Sequence, residues 1–355
     1  MIVLYGASGY TGRLVAAELA AVGAEFVVAG RARTRLDAVV DDLAGQVAGV
    51  RVADAHDPAA LAAMLRGADA VVSTVGPFEY LGMPVVDAAV AAGVAYCDST
   101  GEPAFMRRVA ERHGSAAVPV APACGFDYVP HDLAAAVAAE GMDRVDRLDT
   151  LLGTHAFATS QGTKLSAIGA LGAGSSEWLG GRWAPTRLAA DRRRFDLAGV
   201  GASATGVSYP GGDPVQIVNH VDAPTVRSYM EVPAAVAAVA GPAGWLAGTV
   251  GASGWVRERL ESLARRGPEG PSAEARRRTT WRVVAEASGG GQTQTAVASG
   301  SDVYGLTGRL LARIAIGLQD WRGAGVAEGF RAPADLVVDP FEFASEAAFD
   351  LERVR

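Results

Sequence analysis

Three glycines at intervals of three residues, Gly6, Gly9 and Gly12 in GASGYTG, follow the apolar run Ile2 to Tyr5 and precede a helical pattern. A turn of this kind gathers the backbone N–H groups of Ala7, Ser8, Tyr10 and Thr11 at a helix N-terminus, an arrangement that binds a diphosphate. With 44 glycines in the chain the spacing alone says little, and its place between a first strand and a first helix gives it weight. The second apolar run ends in AGRAR, where NAD-selective sites carry a carboxylate for the ribose. Arg31, with Arg33 or Arg35 beside it, instead offers guanidinium to a 2′-phosphate, so NADP(H) is the expected cofactor. The plainer reading of Arg31 is a solvated start to a polar helix. Asp54, ending the third strand, either meets the adenosine side or caps the next helix.

Further chemistry is expected where later strands end, in the loops STVGPFEYLG (73 to 82), CDSTGEP (97 to 103) and ACGFDYVPHDL (123 to 133). Tyr128 and His131 open the helical pattern PHDLAAAVAAEG and are the candidate proton donors, weighed against packing or capping. His131 near a helix N-terminus is biased toward its neutral form. Asp127 reads first as a cap of that helix. Lys164, the only lysine, is a candidate for substrate or phosphate contact, against the commoner solvated role. Cys97 and Cys124 have no adjacent histidine or lysine to form a thiolate and read as packed, free thiols. The five histidines lack ligand spacing, so no metal site is expected.

These groups must be positioned by a scaffold. Six apolar runs (2–5, 26–30, 50–54, 68–76, 94–99 and 118–124) alternate with helix-length patterns, the mark of a parallel sheet covered on both faces. The expected fold is a doubly wound, Rossmann-type α/β domain. At 355 residues a second core is needed. The runs TWRVVAEA and TQTAVASG around a glycine turn predict a hairpin there. A net charge of −7 without a long basic stretch argues against nucleic acid and for a small-molecule partner. Met1 leads straight into a strand and only two cysteines occur, which predicts a cytoplasmic protein without a signal peptide. Val232 to Val256 carries no charge, yet is Ala- and Gly-rich and broken by Pro233 and Pro242. It reads as a buried helical pair or an apolar pocket wall rather than a membrane span.

VGPFEYLGMPVVDAA, YCDSTGEPAFMRRV and PACGFDYVPHDL together resemble the saccharopine dehydrogenase-like family of NADP-dependent oxidoreductases, in its branch of mycobacterial trans-acting enoyl reductases. SQGTKLS (160 to 166), RRGPEGPSAEARRRTTWRV (265 to 283) and SDVYGLTGRLLARIA (301 to 315) extend the resemblance along nearly the whole chain. It implies a split architecture: residues 1–130 bind the nucleotide, a segment of about 301–355 completes that domain, and 131–300 form an inserted α+β substrate domain with a mostly antiparallel sheet. Strand-end position and the resemblance together assign Val75, Gly76, Pro77 and Phe78 to the nicotinamide ring, and Ser99, Thr100, Gly125 and Phe126 to its carboxamide and ribose. A homodimer is also implied. Tyr128 and His131 depart from the small polar residues common at their positions, and the chain is shorter than many relatives.

Three activities remain open. The first is NADPH-dependent reduction of an activated C=C bond. The second is imine or secondary-amine chemistry, and the third is NADP sensing without turnover. Trp178, Trp183, Trp245 and Trp255 with the uncharged run favour a hydrophobic substrate, against ordinary core packing of those tryptophans.

Overall fold

The computed structural model describes residues 1–170, 175–197, 202–238, 240 and 254–354. They form two compact units, Met1–Val129 with Val303–Leu336, and Pro130–Asp302 with Val337–Arg355.

In the first unit, strands β1 (Ile2–Tyr5), β2 (Phe26–Gly30), β3 (Gly49–Val52), β4 (Ala70–Ser73), β5 (Ala95–Asp98) and β6 (Pro119–Ala121) alternate with helices α1 (Tyr10–Ala21), α2 (Arg33–Asp42), α3 (Pro58–Met64), α4 (Phe78–Ala92) and α5 (Pro103–His113). Every residue of β1, β2, β4, β5 and β6 is buried, as apolar strands covered on both faces must be. The parallel order is β6-β5-β4-β1-β2-β3, with the short strand Gly329–Phe330 beyond β6. The order reverses between β1 and β4, and ligands of open α/β sheets bind at such a reversal.

The expected fold class is therefore present, with two local differences. Strands β3, β4 and β6 end earlier than their apolar runs, freeing residues for loops. Helix α4 begins at Phe78 rather than Pro84, because the Glu102 carboxylate accepts the N–H groups of Phe78 (3.1 Å) and Glu79 (2.7 Å) and caps the extra turn.

The second unit holds β7 (Arg147–His155), β8 (Ser175–Leu179), β9 (Arg182–Thr186), β10 (Arg192–Leu197), β11 (Ala202–Tyr209), β12 (Thr225–Glu231), β13 (Thr280–Gly289), β14 (Gln292–Ser301) and the strand Asp350–Val354. Their order is β10-β11-β12-β7-β13-β14 and then Asp350–Val354, with β8 on β12 and β9 on β8. All these pairings are antiparallel except β12 with β7. Gly290 and Gly291, at φ +58° and +81°, make the two-residue turn of the β13–β14 hairpin. Leu151, Phe195, Ala204, Tyr229 and Val284 form a core on one face of this sheet. Helix α6 (Val129–Ala139) begins at the boundary between the units.

The C-terminal segment divides where a single completion of the first unit was expected. Val303–Leu336 joins the first unit, whereas Asp350–Val354 satisfies the free edge of β14 and joins the second. Of the uncharged run Val232–Val256, positions 239 and 241–253, including Trp245, lie outside the described residues; Trp255 is exposed. Among the described residues no helix is long and apolar enough to cross a membrane. Trp178 and Trp183 pack edge to face at 5.3 Å, and the Trp178 Nε1–H donates to the Ala223 carbonyl at 3.0 Å.

Candidate functional site

The glycine turn is built by close approach. Gly6 has φ +91°, and a Cβ there would stand 2.6 Å from the Thr74 hydroxyl. A Cβ at Gly12 would lie 2.2 Å from the Gly6 carbonyl oxygen, so α1 seats on the turn only with glycine at that position. Gly9 is the N-cap of α1 and tolerates more, its Cβ position being 3.3 Å from the same oxygen. The N-cap Gly9 has no side chain to cap α1 and no acidic residue stands in its first turn, which suits the amides of Thr11 and Gly12 to an anion. Ala7 is fully buried beneath the turn and Ser8 is half-buried. Tyr10 packs edge to face on Tyr304 at 5.3 Å, and Gly308 brings the helix Val303–Gln319 against the backbone of Leu14. The C-terminal helix thus fixes the position of α1.

At the end of β2, Arg31 is exposed and has no ion-pair partner among the described residues. Arg33 is drawn into an exposed pair with Asp37 at 2.7 Å, one turn along α2, while Arg35 donates to the Ser8 carbonyl at 3.2 Å and so borders the turn. Arg31 and Asp54 both act on Tyr5 at the end of β1. Burial first, and then the Asp54 carboxylate, push the Tyr5 phenol up to about 12, with Arg31 opposing. Asp54 does not cap α3. Its carboxylate accepts the His56 N–H at 2.9 Å, and Asp57 is the cap, accepting from Ala59 and Ala60.

Beyond the strand ends, a series of side chains ties successive loops together. The Thr74 hydroxyl donates to the carbonyls of Tyr5 (3.3 Å) and Gly6 (3.1 Å), joining the loop after β4 to the glycine turn. Glu102 joins the loop after β5 to the start of α4. Asp98, wholly buried, joins the loops after β5 and β6: its Oδ1 accepts the N–H groups of Thr100 (2.9 Å) and Ala123 (2.8 Å), and its Oδ2 accepts the Tyr96 hydroxyl (2.6 Å). Phe126 N–H donates to the Thr307 hydroxyl at 3.1 Å, which joins the loop after β6 to the helix Val303–Gln319. A Cβ at Gly125 would meet the Thr307 methyl at 3.1 Å, so that glycine is a packing requirement.

These ties bring Val75, the exposed Gly76, Pro77, Phe78, Ser99, Thr100, Gly125 and Phe126 to one end of one sheet. The Gly76–Pro77 peptide is cis. Phe78 is buried against Phe105, Thr100 and Phe126 are buried, and Ser99 is half-buried. Cys97 and Cys124 are free and buried, and burial pushes the Cys97 thiol up, as an unreactive packed thiol requires.

The catalytic candidates separate. Tyr128, in the first unit, is buried with its hydroxyl 3.4 Å from the Gly101 carbonyl. His131 lies in the second unit at 1% exposure, its Nδ1 3.0 Å from Asp213, whose other oxygen accepts the Ser228 hydroxyl. The contact is buried on both sides, Asp213 being fully enclosed as well. Lys164 is half-buried on the helix Gln161–Ala170, with Nζ beside Gly267. The Gln161 side chain donates to the Arg265 and Gly267 carbonyls, so SQGTKLS and RRGPEGPS form one packed pair.

Thr74, Asp98, Glu102, Thr307 and Asp213 escaped the sequence reading. For Asp98 a signal existed: a carboxylate closing an otherwise apolar strand has to be satisfied by its neighbours.

Residues 2–125 match the family described as "Saccharopine dehydrogenase NADP binding domain". Trans-acting enoyl reductases of Mycobacterium ulcerans and Mycobacterium tuberculosis are each 41% identical over 141 and 140 residues, covering 37% of this chain and 34% of the relative. The matched part therefore spans about a third of the length of these curated relatives. The apo histidine-tagged saccharopine dehydrogenase (L-Glu forming) of Saccharomyces cerevisiae superposes with a TM-score of 0.61 at 16% identity, over 100% of this chain and 99% of that one. This likeness establishes the fold. The turn that only glycine fits, the uncapped α1 and the partnerless Arg31 suit the phosphates of the cofactor such a domain takes. Residues 2–125 thus match the saccharopine dehydrogenase NADP binding domain, and the cofactor of such a domain is NADP(H).

Proposed function

We propose that this protein is an NADP(H)-dependent oxidoreductase that reduces an activated C=C bond of a hydrophobic small molecule. When bound, the cofactor supplies the hydride. The chain's own residues hold and orient. The amides of Ser8, Thr11 and Gly12 would receive the diphosphate, those of Ala7 and Gly9 being bonded within the fold to the Ala29 and Gly6 carbonyls, and Arg31 and Arg35 would receive the 2′-phosphate. Backbone from Val75 to Phe78, with Ser99, Thr100, Gly125 and Phe126, sets the nicotinamide end. Tyr128 is the favoured proton donor, since its hydroxyl stands at the Gly101 carbonyl, in the loop that also carries Ser99 and Thr100.

The observation that carries the choice of substrate is the state of four arginines on the face of the second sheet that also bears Leu151, Phe195, Tyr229 and Val284, whereas Arg192 and Arg194 lie exposed on the other face of β10. Arg147 is paired with Asp149, Arg193 with Asp149 and Glu286, Arg227 with Glu177 and Asp191, and Arg282 with Glu231. Guanidinium groups already neutralised in this way are poor receptors for a substrate bearing several carboxylates. On the same sheet Met230, 45% exposed, stands beside Leu152 in register and offers apolar surface.

The imine or secondary-amine reading is favoured by the fold shared with a saccharopine dehydrogenase. NADPH oxidation followed at its absorbance maximum, with a panel of apolar enoyl thioesters, enones and imines, decides. Turnover confined to enoyl compounds supports the proposal, turnover of imines alone replaces it with C–N chemistry, and tight NADPH binding without turnover on any of them leaves a sensor. The protein is further proposed to be cytoplasmic, in keeping with its two buried free thiols, and to form a homodimer, which sedimentation tests directly.

A further inference from the structure

We propose that Asp98 is a positioning residue for the nicotinamide end of the cofactor: its buried carboxylate holds the loops after β5 and β6 in the relative placement that the ring requires. The proposal rests on the NADP(H) reading above.

Four hydrogen bonds converge on this residue. Its side chain accepts from the Thr100 and Ala123 amides and the Tyr96 hydroxyl, and its backbone carbonyl accepts the Cys124 N–H at 2.8 Å. Thr100 belongs to one loop, Ala123 and Cys124 to the next, and both loops carry residues assigned to the nicotinamide. Ala123 sits at φ +61°, a conformation that costs a residue with a Cβ about 1 kcal/mol and persists only where neighbours impose it. The bond from its N–H to Asp98 is the contact that imposes it.

The charge itself calls for an explanation. An asparagine would fill the same space and accept the same two amides through its oxygen, without the desolvation of a carboxylate. Among the described residues Asp98 has no cation as partner. The titratable groups around it are Tyr96 and Cys97 on its own strand and Glu102 in the loop that follows, while Ser73 of β4 and Cys124 beyond β6 bring only neutral groups. Burial, opposed by the Ala123, Tyr96 and Thr100 bonds, leaves the carboxyl pushed up to about 7. The ionised form accepts all three donors at full strength. Protonation of Oδ2 reverses the bond to Tyr96, whose hydroxyl must then accept, and makes Oδ1 a neutral and weaker acceptor for the two amides, so the grip on the two loops slackens.

The test uses the full chain and two probes, NADPH and adenosine 2′,5′-bisphosphate, which keeps the adenosine and 2′-phosphate but lacks the nicotinamide. At about pH 8, Asp98→Asn should weaken NADPH by about tenfold and leave the bisphosphate within about twofold, because only the nicotinamide end depends on the charged tie. The ratio of the two affinities cancels the titration of the 2′-phosphate that both probes share. In the wild type this ratio should fall toward the Asn value as pH drops through 7, while in Asp98→Asn it should stay flat. Asp98→Ala should give a larger loss in the same ratio; if it does not fold, the Asn variant and the wild-type pH series carry the decision. A wild-type NADPH affinity in Asp98→Asn, equal weakening of both probes, or a pH profile shared by the two proteins overturns the proposal while leaving the cofactor reading intact. Failure of both probes to bind the wild type overturns the cofactor reading and this proposal together.

Discussion

The two units spend their polar groups in opposite ways. In the first, the groups that matter lie at strand ends and are mostly backbone, aimed by glycine turns and a few short side chains such as Thr74, Asp98 and Thr307. In the second, long charged side chains cross the face of the sheet and satisfy one another, Arg193 reaching Asp149 on β7 and Glu286 on β13. The first arrangement leaves hydrogen-bonding capacity unspent for a ligand. The second uses it up within the fold, on the face of the sheet where those side chains meet.

Arg193→Ala should produce the largest effect and confine it to stability. Asp149 is fully buried and Glu286 nearly so, and stripping their shared partner should lower the unfolding free energy by about 3 kcal/mol in urea titrations. NADPH affinity should remain unchanged by calorimetry, and a concurrent loss of binding would break the separation drawn here. Gly12→Ala should do the reverse. The added methyl collides with the Gly6 carbonyl, so NADPH affinity should drop by about a hundredfold with the circular dichroism spectrum retained. Arg31→Asp sharpens the contrast within the first unit, since it exchanges a partnerless cation for a carboxylate; the NADPH over NADH preference should fall about tenfold in paired binding curves.

The last test concerns pH. The folded-state pKa of Asp98 is raised from the ordinary carboxylate value to about 7, so the folded protein holds this proton more tightly than the unfolded chain. The stability it contributes is complete below about pH 4 and is lost as pH rises through 7. Melting temperatures of the wild type should therefore decline relative to Asp98→Asn across that window, and parallel curves would refute the shift. Stability and cofactor affinity would then run in opposite directions with pH at this one carboxylate.

The contrast also explains what the sequence disclosed. Apolar runs, helical periods and glycine spacing are local signals, and they located the six parallel strands, the β13–β14 hairpin and the turn around Gly6 and Gly12. Ties between distant residues have no local signature. Nothing near Asp98 in sequence points to Ala123, nothing near His131 points to Asp213, and the same holds for Phe126 and Thr307. His131 drew attention as a histidine near a helix N-terminus, and its neighbour Asp213 lies far along the chain. The division of the C-terminal segment was hidden because edge-strand pairing, unlike strand formation, is decided by which edge stands open.

The strand Asp350–Val354 returns to the second unit after Val303–Leu336 has completed the first. Neither unit is thus a continuous stretch of chain. The strand beyond β6 and the partner of β14 both follow Asp302, so during synthesis each sheet gains its last edge strand late, after all its other strands have been made.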